Sequence, residues 1–190
     1  MRKWETFVNL ANKDFEGIYF DWYRGQTPKP LQVDIVLAFQ EDERVHGDAV
    51  IVGVEVKYFR YFENRGFYEG LGQILSYSIF GFDGLSLWHL FSKELEDGDI
   101  QRFGSATKEV VERLGLPIFY LCGKIVDEEE LKINIFEPIY LEGKVSSLSE
   151  LTYNNICKVI SGRSLRNPLL FSDTIIKRRK TLKAMLKIPV

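Results

Sequence analysis

The chain is poor in the side chains that most often bind soft metals or shuttle protons, with two cysteines and two histidines among 190 residues. Cys122 and Cys157 stand 35 residues apart with no CxxC pair. Two cysteines are too few for a four-cysteine iron–sulfur site, and their spacing argues against zinc and leaves two buried free thiols as the expectation. Long apolar runs are absent too: no stretch approaches the roughly 18 consecutive apolar residues of a membrane span. Met1-Arg2-Lys3-Trp4-Glu5 lacks the apolar segment of a signal peptide. A soluble, intracellular protein with no membrane partner is therefore expected. Excess charge is also missing, since the net value of −2 gives no bulk hint of a polyanionic ligand. What is present is apolar and aromatic material, 45% and 14% of the chain, enough for one compact α/β domain.

The small net charge conceals an asymmetry. Residues 161–190 carry eight Lys or Arg against one acid, a charge of +7 that leaves −9 for residues 1–160. Lys177, Arg178, Arg179, Lys180 and Lys183 make this tail a candidate for backbone contacts with DNA. The alternative is an amphipathic helix that docks by Ile175, Ile176, Leu182 and Leu186 and leaves its lysines in water. Both readings place a helical, basic extension over 146–190 on a core formed by 1–145.

Periodicity gives the elements. Trp4, Phe7, Val8 and Ala11 have helical spacing, so an opening helix is expected over 2–13, followed by a strand over 17–23. Two Val- and Ile-rich strands, 32–40 and 49–59, flank a polar connector and read as a hairpin. A helix is expected over 66–80, closed by Gly81 and Gly84, then a strand over 85–91. A short helix over 108–114, strands over 117–123 and 131–140, and helices over 148–160 and 174–187 complete the reading. His46 falls in the hairpin connector and His89 in a strand beside Trp88, where packing is the simpler role.

The acids of the hairpin are out of place. Asp34 and Glu55 each interrupt an oily strand, and Lys57 follows two residues after Glu55. A buried charge needs a partner. Facing residues of an antiparallel pair share a constant index sum, and a turn centred on the connector sets Asp34 opposite Glu55. Carboxyls about 5 Å apart can grip one cation, and Lys57 shares their face. The same register aligns Val33, Ile35, Leu37 and Phe39 with Val56, Val54, Val52 and Val50 as one apolar face. A hard divalent ion, Mg²⁺ or Mn²⁺, would resolve the repulsion between the acids. The competing reading is a buried structural ion pair between Lys57 and one acid.

With Asp34, Glu55-Val56-Lys57 and a following Gln73-Ile74-Leu75-Ser76-Tyr77, the chain resembles the PD-(D/E)XK nucleases. The likeness is to the RecB-like branch, which includes archaeal and viral members and adds a Gln-x-x-x-Tyr motif. It spans roughly residues 2–125, and departs in having Val33 rather than proline before Asp34. The resemblance implies a restriction-endonuclease-like αβββαβ core, a mixed sheet flanked by helices, and Mg²⁺-dependent hydrolysis of DNA. It implies catalytic roles for Asp34, Glu55, Lys57, Gln73 and Tyr77, and metal ligation by Asp34, Glu55 and the Val56 carbonyl. An acid from the first helix often joins the metal in relatives, which nominates Glu5. Arg60 and Arg65, just beyond the Lys57 strand, join the tail as candidate DNA contacts. A junction-resolving endonuclease, usually a homodimer, is a close variant; a DNA-binding protein on the same fold without chemistry is the rival of another class.

Overall fold

The computed structural model describes residues 4–10, 33–39, 49–62, 66–138, 144–147, 156 and 165–188. They form a mixed α/β structure around a seven-stranded sheet whose spatial order follows the chain. Strands β1 (Trp4–Leu10), β2 (Val33–Phe39) and β3 (Val50–Phe59) make an antiparallel meander. β4 (Gly84–Phe91) and β5 (Ile118–Asp127) add in parallel, and β6 (Lys132–Glu137) and β7 (Val145–Ser147) return antiparallel. Helix α1 (Leu71–Tyr77), continued by a 3₁₀ turn over Ser78–Phe80, crosses from β3 to β4; α2 (Asp97–Arg113) crosses from β4 to β5. Two parallel crossovers stepping the same way across a sheet place their helices on one face. Leu71, Ile74, Tyr77, Ile100 and Val111 accordingly pack together with Ile51, Leu85, Leu87 and Phe91 in one cluster. Among the described residues no helix is long and apolar enough to cross a membrane.

The hairpin has the expected index sum of 89, pairing Ile35 with Val54 and Leu37 with Val52. The burial differs from the expectation of a single core face. Val52, Val54, Trp88, Leu121 and Ile156 form a second cluster on the side away from the helices, so both faces of the central strands are covered. Strands buried on both sides read as continuous apolar runs rather than alternations.

Other expectations are corrected. The segment expected to open as a helix is strand β1 over Trp4–Leu10, because pairing with β2 outweighs a helical spacing only a few residues long. The strand expected over 17–23 lies outside the described residues, as does the helix expected over 148–160 apart from Ile156. Helix α1 is shorter than expected at its start, since turns occupy 67–70 and Gly70 enters the helix with φ +84°. Helix α2 is far longer than 108–114: it includes Gly98 and Gly104, whose low propensity hid it. A Cβ on Gly104 would lie 2.7 Å from Cys122 Sγ, so the glycine permits close packing of α2 on β5.

The last helix, α3 (Asp173–Met185), docks through Ile175, Leu182 and Leu186, while Ile176 remains largely exposed. Its seating is polar as well. Arg179 Nε and Nη2 donate to Asp83 Oδ1 and Oδ2 at 2.8 and 3.1 Å, and Nη2 also reaches Ala49 O at 3.1 Å. Asp83 is fully buried and accepts from Ile51 N–H at 2.9 Å. Arg178 donates to Ile79 O, and Asn167 Nδ2 to Ser78 O and Phe82 O. These donors satisfy carbonyls at the end of α1 that have no partner within the helix.

Candidate active site

The site begins with the ladder between β2 and β3. Its backbone pairing ends at Ile35 and Val54, and one more step in the same register sets Asp34 against Glu55. There the backbone pairing is replaced by a side chain, with Val56 N–H donating to Asp34 Oδ2 at 2.8 Å. In an extended strand the N–H and C=O of one residue leave on the same edge. The Val56 carbonyl therefore leaves β3 on the edge where the Asp34 carboxylate sits.

Glu55 and Lys57 lie on the helix-covered face. Glu55 is 1% exposed, yet both its oxygens are engaged. Lys57 Nζ lies 2.6 Å from Oε1, and the Tyr77 hydroxyl donates to Oε2. Lys57 Nζ also donates to Gln73 Oε1 at 2.8 Å. Gln73 and Tyr77, one turn apart on α1, thus grip the lysine and the glutamate in turn. Two small residues allow the approach. A Cβ on Gly53 would stand 3.2 Å from the Tyr77 ring, and one on Gly70 3.3 Å from the Lys57 stem.

Burial is the largest influence on Glu55 and raises its pKa above the ordinary 4.5; the Asp34 charge pushes the same way. The hydrogen bonds from Lys57 and Tyr77 oppose this and only partly offset it. Two facing carboxylates and one ammonium leave the cluster short of positive charge. The donors are hard oxygens, and the Val56 carbonyl adjoins them, so the residues fit Mg²⁺ or Mn²⁺. Among the described residues no group of three or more His, Cys, Asp or Glu side chains gathers in one place. The ligand set here rests on two carboxylates and a carbonyl.

Other nominated residues fall elsewhere. Glu5 sits on β1 opposite Ala38, four residues along β2 from Asp34 and thus roughly 13 Å away at strand rise. It comes from a strand rather than a first helix. Glu69, inside the helix expected over 66–80, precedes α1. Arg60 is exposed and stacks over the Tyr61 ring at 5.7 Å, while Arg65 is outside the described residues. Lys177 and Lys180 are exposed, but Arg178 and Arg179 hold the backbone and Asp83, and Lys183 is fully buried. Burial also lowers the Lys183 pKa. Three of the five tail cations are therefore structural, which removes them as free phosphate contacts. Cys122 is a buried free thiol, its pKa pushed up to about 12 by burial; Cys157 is outside the described residues.

Asp83 has a structural role that no expectation assigned, and His89 makes hydrogen bonds beyond the expected packing. Asp83 interrupts an oily Phe82-Asp83-Gly84 run in the same manner as Asp34, and that signal was available. His89 is packed, as expected, and pairs with Lys57 across the β3–β4 ladder. Burial lowers its pKa to about 4, so it is neutral at physiological pH. No protein-family model, no curated protein and no solved structure matches the chain.

Proposed function

We propose that this chain is a divalent-metal-dependent deoxyribonuclease of the RecB-like PD-(D/E)XK type, hydrolysing a phosphodiester by in-line attack of water. The observation that carries the reading is convergence. Asp34, the Glu55–Lys57 pair and the Gln73–Tyr77 pair come from three separate segments and meet in one hydrogen-bonded cluster. A three-stranded meander followed by a helical crossover to a parallel strand supports the restriction-endonuclease-like core.

Asp34, Glu55 and the Val56 carbonyl would hold the cation. When bound, Mg²⁺ or Mn²⁺ supplies the missing positive charge and makes a water molecule more acidic. Lys57 uses two of its three protons on Glu55 and Gln73 and keeps one for the attacking water or a phosphate oxygen. Gln73 fixes the direction of that amine. Tyr77 occupies one lone pair of Glu55 Oε2 and so orients the carboxylate, leaving its other lone pairs for ligation.

One observation favours a second reading, a DNA-binding protein without chemistry: Glu55 is almost wholly buried with both oxygens satisfied, as in a structural ion pair. Incubating the protein with linear, supercoiled, single-stranded and four-way-junction DNA in Mg²⁺, Mn²⁺ or EDTA separates the two. The nuclease reading expects metal-dependent cleavage lost in Glu55→Ala and Lys57→Ala. DNA binding without cleavage of any form supports the second reading.

A further inference from the structure

Helix α1 carries Gln73 and Tyr77 but is poorly suited to hold itself. It has seven residues and no side-chain N-cap, its cap being Gly70 in a left-handed conformation. Isolated helices shorter than about 12–15 residues are marginal in water. Its entry is therefore set by what the preceding turn is tied to. Two buried side chains from other elements reach that turn. His89 Nε2 lies 2.8 Å from Glu69 O, and Thr107 Oγ1 on α2 lies 2.6 Å from Phe67 O.

The His89 contact fixes its tautomer. A carbonyl oxygen only accepts, so Nε2 carries the proton and donates it to Glu69 O. Nδ1 is then an acceptor, and the Tyr120 hydroxyl at 3.0 Å donates to it. The ring is wedged edge-on among Phe59, Phe103 and Tyr120, with centroids 5.3 Å away in each case. The next residue after Glu69 is Gly70, whose Cα side faces the Lys57 stem and Leu87. Thus a neutral imidazole packed on β4 ties the turn next to the glycine that lies over Lys57, beside the second tie from Thr107.

We infer that His89 is a positioning residue, whose Nε2–H bond to the Glu69 carbonyl sets the placement of Lys57 and Gln73 relative to Glu55. This rests on the nuclease reading of the same site. A displacement of about 1 Å in a reacting group can lower a rate by about a hundredfold.

The test exploits the shape of two amides. A glutamine on the strand presents its Nε2 where the imidazole Nε2 stood; an asparagine, one methylene shorter, presents its amide where Nδ1 stood. His89→Gln, His89→Asn and His89→Phe are compared in Mg²⁺-dependent DNA cleavage and in amide hydrogen exchange at Leu71–Ile74. The expected result is that Asn and Phe lower kcat by about tenfold to a hundredfold with KM for DNA unchanged, and speed exchange at α1. Gln is expected to restore both. Equal behaviour of Gln and Asn in hydrogen exchange overturns the inference, as does an altered KM with kcat intact. A wild-type protein that cleaves no DNA, with exchange still restored by Gln alone, refutes the nuclease reading while the tie from His89 to α1 stands.

Discussion

A cation that binds the Asp34–Glu55 pair must stabilise the fold, and this can be measured without any DNA. Burial holds the Glu55 pKa above 4.5, so between that pH and the folded-state pKa the folded protein binds more protons than the unfolded chain. Without metal, the contribution of Glu55 to stability is therefore fully present below about pH 4.5 and is lost as pH rises through its folded-state pKa. A cation that ligates the carboxylate favours its ionised form and reverses this trend. At a free metal concentration of 100 times Kd the gain is about 2.7 kcal/mol. For a chain of this length each kcal/mol moves Tm by roughly 2–4 °C, giving about 5–11 °C. Glu55→Gln keeps the size of the side chain and removes the ionisation. Lys57 loses one partner but retains Gln73 and is 22% exposed, so it can turn to water. The variant's Tm in EDTA should consequently equal or exceed that of the wild type at pH 8. The assay is thermal unfolding by circular dichroism at pH 5, 6.5 and 8, with EDTA or saturating MgCl₂. A Mg²⁺-induced rise of the same size in Glu55→Gln would refute the ligand assignment, and so would no rise in the wild type at pH 8.

Lys57→Met should lower cleavage by about 10²–10⁴-fold while leaving the Mg²⁺-induced rise in Tm in place, because the amine is not a ligand; loss of that rise would show that Lys57 builds the site. Asp83→Ala strands Arg179 and the Ile51 N–H, and should cost about 3–5 kcal/mol in urea unfolding; a change below 1 kcal/mol would mean that the extension docks by its apolar face alone. Replacing Lys177 and Lys180 together by Gln should reduce the salt slope of DNA binding by about 1–2 with Tm unchanged, whereas Lys183→Gln should change Tm and leave the slope as it was.

The sequence spoke most clearly where pattern and chemistry coincide. The β2–β3 register followed from the turn midpoint between the two acids, with the alignment of apolar positions as its second support, and the strands pair in that register. Gln73 and Tyr77 were singled out by the Gln-x-x-x-Tyr motif of the resemblance, and helical spacing puts them on one side of α1. The starts of α1 and α2 were not legible. α1 begins at a left-handed Gly70 tied down by His89 and Thr107, and α2 runs through Gly104, where β5 leaves no room for a side chain. Both causes are contacts between residues distant in the chain. β1 is the same lesson in reverse, a segment with helical spacing that becomes a strand because β2 offers an edge.

The basic tail shows why a count of charges along a chain is a weak guide to its partner. Eight cations against one acid suggested an arm for a polyanion, and the count was correct. Charge acts through its neighbours, however, and the neighbour that matters is Asp83, 96 residues upstream of Arg179 in the acidic part of the chain. Arg179 forms a two-point contact with it, Arg166 adds a longer one at 3.4 Å, and Arg178 turns to the Ile79 carbonyl. The cations that looked like a DNA arm thus hold the exit of α1, as His89 and Thr107 hold its entry. Along β3, the Ala49 carbonyl gripped by Arg179 is six residues from Glu55, roughly 20 Å at strand rise. Lys177 and Lys180 stay exposed on the helix whose Arg179 grips that carbonyl. The tail contributes to the site chiefly by clamping the helix that carries Tyr77, and only secondarily through the two lysines it leaves in water.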